Sequence, residues 1–262
     1  MALASAVSAV PSAAADRHYE LQNTSWQFLL AETGVSAVTL VAFAVPSPDG
    51  CSWCETNGFD VGVRDALRAS DPRTAGHVSH VFAFGAAPLV AAGGALLPAI
   101  QDRALRRAGA DLWILANTLV FNIGFNEVFK RAVGRQRPAF HYGVQGETEA
   151  SDNPNEENRS FFSLDTSFAF SAAACGTTLA YLHGYAIAPW ILGGGAAFAT
   201  TAGMLRIAAD MHWATDVLVG ALAGTAIGVS VPLALHRRET SSTLASFQVI
   251  VLPQGVTIFG AF

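Results

Sequence analysis

The chain has 262 residues, 52% of them hydrophobic and 13% charged, with a mean hydropathy of +0.37. That balance is too apolar for an ordinary soluble enzyme and points to one domain packed against lipid. A net charge of -5 and a pI near 5.8 leave no basic surface to neutralise a nucleic-acid backbone, which argues against nucleic acid as a partner.

Residues 1–25 read as an N-terminal segment. Within it, Met1 to Asp16 ends in a small-residue run like a signal-peptidase site, but serines interrupt its apolar part and no basic leader precedes it. Residues 26–238 read as a helical membrane domain. Apolar stretches near the length of a bilayer span occur at Trp26–Val45, Val81–Ile100, Ala110–Phe129, Phe161–His183, Ile187–Ala208 and Ala214–Leu235. The predicted fold is therefore all-α, a six-helix transmembrane bundle. Glu32, Asn126, Glu127 and Asp165 fall inside these stretches, where a bilayer tolerates polar groups mainly on inward faces or near the ends, so they draw functional interest. Pro88, Gly93, Gly94 and Pro98 in the second stretch suit a helix whose backbone is shielded by neighbouring helices.

Between the first two stretches, Cys51 and Cys54 flank Trp53 in a polar loop. Too few ligands surround them for zinc and no strand-helix context supports a redox motif, which leaves a local disulfide in an oxidising compartment or two free thiols. Cys175 reads as core. Arg103, Arg106 and Arg107 after the second stretch, and Arg237 and Arg238 after the sixth, fall on one side of the bundle. If that side is cytoplasmic, the cysteine loop, the connection from Arg131 to Ser160 and the turn at Asp210 face outward, although Arg64, Arg68 and Arg73 dilute the asymmetry. The Arg135–Ser160 connection is long enough to be functional, and its acidic middle reads as solvent-exposed. Residues 239–262 form a C-terminal tail in which apolar alternation around Pro253, Gln254 and Gly255 predicts a short β-hairpin.

Positive charge concentrates from Lys130 to Pro138, with six residues between Lys130 and Arg137 and with Arg131 and Arg135 between them. Alone, this is equally a basic helix end anchoring to anionic headgroups. A second cluster, Arg206, His212 and Asp216, lies at the junction of the last two stretches. His212 and Asp216 are four apart, so a helix beginning at His212 would put them on one face, with the carboxylate fixing the imidazole tautomer and the other ring nitrogen free to attack an electrophile. The alternative is a helix N-terminus with Asp216 complementing the dipole.

Taken together, the two spacings resemble the first and third signatures of the type 2 phosphatidic acid phosphatase superfamily, which includes lipid phosphatases, bacterial acid phosphatases and vanadium haloperoxidases. The resemblance spans roughly Val81 to Leu235. It implies that Lys130, Arg137 and Arg206 hold phosphoryl oxygens, that His212 attacks to form a phosphohistidine and that Asp216 orients it. It implies no metal and no cofactor, because the cations supply the electrostatic stabilisation. The implied partners are a membrane and a phosphorylated lipid or other phosphomonoester, and the implied location is a bacterial inner membrane with the site facing the periplasm. A soluble periplasmic or outer-membrane-associated protein is the alternative.

The second signature departs from the family. Pro-Ser-Gly-His becomes Phe162, Ser163, Leu164 and Asp165. Ser163 can still donate a hydroxyl to phosphate, but Asp165 stands where the leaving group's proton donor is expected, and Leu164 replaces a glycine. Leu205 stands where serine is usual. Asp165 either stays protonated and acts as the acid, or ionises beside Lys130, Arg137 and Arg206 and weakens turnover. The competing class is a catalytically silent lipid- or anion-binding relative. His77, His80 and His141 read as loop and helix-end residues without a role, His141 and Tyr142 lining the mouth at most.

Overall fold

The computed structural model describes residues 19–21, 30, 33–34, 36–37, 39–46, 50–238, 248–252 and 255–259. The signal-like run Met1 to Asp16, Glu32 and the hairpin turn at Pro253 and Gln254 lie outside them, as do residues 26–29, 31, 32, 35 and 38 of the predicted first span.

A short strand β1 (Tyr19–Leu21) is followed by α1 (Gly58–Leu67), α2 (Pro72–His80), α3 (Ala87–Gln101) and α4 (Leu105–Val133). Then come a short α5 (Pro138–His141) and the long helices α6 (Leu164–Leu182), α7 (Ala188–Ala208) and α8 (Ala214–Leu235). Strand β2 (His236–Arg238) pairs antiparallel with β1, and β3 (Gln248–Leu252) with β4 (Gly255–Phe259).

Local chemistry sets the ends. Asn57 caps α1 by accepting from the Asp60 amide at 2.9 Å, and Asp71 caps α2 by accepting from the Thr74 amide at 3.0 Å with Pro72 at the first turn. This start puts the second predicted span earlier than expected. Helix is continuous from Pro72, through a π-helical turn at Val81–Ala86, to Gln101. At the other end of α4, Gly134 takes the left-handed conformation (φ 57°) and closes the helix onto the Lys130 carbonyl.

Among the described residues, four helical stretches are long and apolar enough to cross a membrane: Pro72–Gln101, Leu105–Val133, Ala188–Ala208 and Ala214–Leu235. Helix α6 differs because α3, α4, α7 and α8 enclose it. It needs no lipid-facing surface, and it carries hydroxyls satisfied within the helix, as Thr177 and Thr178 are by the Ala173 and Ala174 carbonyls. The outer faces are apolar, with Leu89, Trp190 and Leu222 exposed, while Asp111, Asn122 and Asn126 are buried. That inverted distribution belongs to a lipid-immersed bundle.

Helices α6 and α8 meet through small residues. A methyl group added at Gly220 would lie 2.8 Å from the Ser163 carbonyl oxygen, and at Gly224 and Gly228 it would overlap the Ser167 and Ser171 carbonyls. Backbone thus rests on backbone along three turns. Polar residues of α4 tie it to its neighbours: Asn126 donates to the Phe162 carbonyl at 2.8 Å, Ser167 donates to Asn122 at 3.1 Å, and Glu127 pairs with Arg131 and Arg159. Asn126 and Glu127, which drew functional interest, therefore have structural partners.

Candidate active site

The alternating course of the long helices brings the end of α4, the start of α6, the end of α7 and the start of α8 to one pole. Lys130 is buried on the last turn of α4, and Arg206 is buried on the last turn of α7. Arg137 follows the Gly134 turn; its Nη1 donates to the Met211 carbonyl at 2.9 Å and lies 3.3 Å from His212 Nε2.

His212 sits in the tight turn between α7 and α8. Asp210 makes that turn with φ 56°, a conformation costly for a residue other than glycine. Its buried carboxylate is clamped by Arg64 Nε at 2.7 Å and Nη2 at 2.9 Å and by Arg68 Nε at 2.7 Å, while its carbonyl accepts from the Ala139 amide. His141 and Tyr142 pack against Trp213 beside the turn, and the Arg64 guanidinium lies 3.8 Å over the Tyr142 ring.

Helix α8 begins at Ala214, so His212 precedes it rather than sharing a helical face with Asp216. The nearest His212 ring nitrogen is 3.8 Å from Asp216, and Nδ1 instead lies 2.7 Å from the Ser160 carbonyl. Asp216 accepts from the Trp213 amide at 2.9 Å, the Ser160 hydroxyl at 2.5 Å and Arg135 Nη1 at 2.5 Å. The carboxylate expected to hold the imidazole directly therefore acts through Ser160. Arg135, completely buried, bridges Asp216 and Asp60 with Trp53 stacked on its guanidinium at 4.0 Å; it holds the scaffold. Cys51 and Cys54, joined as a disulfide, lie in the loop that carries Trp53.

A carbonyl oxygen only accepts, so His212 Nδ1 carries the proton and Nε2 presents its lone pair toward Arg137. Burial, then the charges of Arg137, Arg206 and Lys130, push the His212 pKa well below its ordinary 6.5 against the opposing charge of Asp165. The ring is neutral and stands among cations.

Ser163 caps α6, its Oγ 2.9 Å from Thr166 Oγ1 and its amide donating to the Asp216 carbonyl at 3.2 Å. Asp165, in the first turn, accepts from the Ser79 hydroxyl at 3.0 Å; His80 Nδ1 is 2.8 Å away and Arg206 Nε 3.9 Å away. His80, expected to have no role, is therefore an ion-pair partner of the substituted second signature.

The acidic connection is divided: Glu147 and Asp152 stand in solvent as expected, while Glu149 and Glu156 turn inward. Glu149 pairs with Arg206 Nη1 at 2.9 Å and approaches His77 and His80; Glu156 pairs with Arg137 Nη2 at 2.6 Å and with Arg159. Burial alone would raise both pKa values, but the His80 contact and Arg206 bring Glu149 down to about 2, and Arg137, Lys130 and Arg159 do the same for Glu156. Glu149, Glu156, Ser160, Asp60 and His80 escaped the sequence reading. Only the two glutamates had a signal, an acidic loop of functional length beside a basic motif.

Fold and site define a helical membrane protein with buried cations gathered around one neutral histidine. The family model described as the PAP2 superfamily matches residues 111–239, a stretch containing Lys130, Arg137, Ser163, Arg206, His212 and Asp216, and so agrees with the resemblance that the two signatures carry. The superfamily is one of phosphatase-type activity on phosphate esters. No curated protein matches the chain.

Proposed function

We propose that the chain hydrolyses the phosphomonoester of a lipid such as phosphatidic acid through a phosphohistidine on His212. The observation that carries this reading is the His212 ring: Nδ1 is committed to the Ser160 carbonyl and the Nε2 lone pair faces Arg137. A phosphoryl group held by Lys130, Arg137 and Arg206, with the Ser163 hydroxyl on a further oxygen, would bring phosphorus in front of that pair. Attack forms the N–P bond and breaks the P–O bond to the lipid alcohol, and water then cleaves N–P to release inorganic phosphate. Asp216 positions the ring through Ser160.

The departing alkoxide needs a proton, and Asp165 is itself flanked by His80 and Arg206, which favour the carboxylate. In our reading the donor is His80, oriented by Asp165, so an imidazole from α2 replaces the one missing from the second signature. As an imidazolium, His80 has a carboxylate facing each ring nitrogen: Asp165 at Nδ1 and Glu149 at Nε2, 3.4 Å away. The same ring can take a proton from the attacking water in the second step.

The four apolar helical stretches support a lipid substrate. Arg103, between α3 and α4, and Arg106 and Arg107, in the first turn of α4, lie at the pole away from His212, which supports a bacterial inner-membrane location with the site on the periplasmic side. A second reading, a silent anion-binding relative, is favoured by the occupation of Arg137 and Arg206 by Glu156 and Glu149.

The test compares detergent-purified wild type, His212→Ala, His80→Ala and Asp165→His on phosphatidic acid and p-nitrophenyl phosphate. The hydrolase reading expects wild-type turnover on both and none in His212→Ala. His80→Ala should lose about 100-fold or more on the lipid and far less on the aryl ester, whose leaving group needs little protonation. A silent wild type that gains turnover in Asp165→His would establish the binding reading instead.

A further inference from the structure

At the pole opposite His212, α4, α6 and α8 bring together three side chains that the phosphate site does not use. Asp111 lies near the start of α4, His183 follows the last residue of α6, and His236 follows the last residue of α8. Asp111 and Lys130 are separated along α4 by about 28 Å at 1.5 Å per residue, so this cluster is remote from the anion site.

One ligand atom from each of the three falls within 4.8 Å of the others. His183 Nε2 is 3.0 Å from each Asp111 carboxylate oxygen. His236 Nδ1 is 2.7 Å from the Pro232 carbonyl, which accepts only, so Nδ1 carries the proton and a neutral ring presents a lone pair on Nε2. That Nε2 is buried and has no hydrogen-bond partner, and Asp111 Oδ2 likewise has none beyond its ion-pair contact with His183. A buried imidazole lone pair and a buried carboxylate oxygen therefore converge. A backbone carbonyl fixing the far nitrogen of a ring is also the arrangement that orients metal-bound histidines. The Tyr185 ring packs 5.5 Å from His183, and Arg107 reaches its hydroxyl at 3.4 Å, closing the cluster beside the α6–α7 turn.

We propose that Asp111, His183 and His236 form a binding site for a divalent transition metal, with zinc the best match. Two imidazole nitrogens and one carboxylate suit zinc with a fourth position for water, whereas calcium and magnesium require more oxygen ligands. A bound ion would draw the unpartnered nitrogen and the carboxylate into one coordination sphere and staple the end of α8 to α4 and α6. Its role is structural, and it is independent of the proposed phosphatase reading.

The test uses the full-length protein purified in detergent without a metal-affinity tag. Elemental analysis should find about one zinc per chain after equilibration with Zn²⁺ and removal of excess. Chelation should lower the thermal unfolding temperature, and Zn²⁺ should restore it. Replacement with Co²⁺ should give the visible absorption of a low-coordinate nitrogen–oxygen site. Asp111→Asn and His236→Gln, chosen to preserve volume, should weaken Zn²⁺ binding by more than about 100-fold, beyond the loss typical of outer-shell changes. Wild type that binds no Zn²⁺ and shows no thermal response to it overturns the proposal. So does binding that both variants retain. Because chelation and Co²⁺ are read on the wild type, misfolding of a variant leaves the test decisive.

Discussion

Arg137 Nη1 lies 3.3 Å from His212 Nε2, the one ring nitrogen not committed to the Ser160 carbonyl. In the proposed reaction the guanidinium marks where the His212 lone pair points and where a phosphoryl oxygen would rest. Arg137→Ala should lower kcat/KM by about 100-fold or more, as does loss of a preorganised charge-stabilising donor. Arg137→Lys should recover only part, because a point charge cannot reproduce the planar fork. His212→Ala should cost at least about 1,000-fold. Initial rates on both ester substrates, with folding checked by thermal melts, measure this.

Glu149 and Glu156 occupy the guanidinium groups that the proposed phosphate site needs, so on that proposal they compete with substrate. Glu156→Gln should tighten binding of orthovanadate, a phosphate mimic, by about tenfold if one competing charge-assisted hydrogen bond is removed. Inhibition of p-nitrophenyl phosphate turnover reads the change. Unaltered or weaker inhibition would show that Glu156 does not compete.

The turn that presents His212 depends on Asp210, which adopts φ 56° with its carboxylate shared by Arg64 and Arg68. Arg64→Ala breaks a buried pair and should cost about 3 kcal/mol of stability. Asp210→Ala adds about 1 kcal/mol for a left-handed residue without a compensating side chain. Denaturant titrations give the stability loss. Activity in the surviving folded fraction should also fall, because the His212–Arg137 geometry loosens.

Acid stability follows from the same charges. His212 titrates well below 6.5 in the folded protein, so below that pH the unfolded chain takes up protons that the folded one refuses, and stability declines. Glu149 and Glu156, held at about 2 against an ordinary 4.5, contribute stability that is present above 4.5 and lost as pH falls toward 2. Tryptophan-fluorescence melts should show both declines. The double variant Glu149→Gln, Glu156→Gln should lose most of the lower one.

Hydropathy made the membrane class, the long helices from α3 onward and the superfamily legible in the sequence, because spans and a signature of fixed spacing are local properties. The spacing of Lys130 and Arg137, and of Arg206, His212 and Asp216, was enough to nominate the cations and the histidine. Tertiary structure alone decided what each group faces. His212 turned out to lie before α8, so Ser160 rather than Asp216 binds its ring. Asp165 met His80 from α2, and the loop glutamates closed on Arg137 and Arg206. Asp111, His183 and His236 became neighbours only because three helices end at one pole. Each of these contacts joins residues distant along the chain, and their partners are selected by packing and by the need to neutralise buried charge, which periodicity and spacing do not encode.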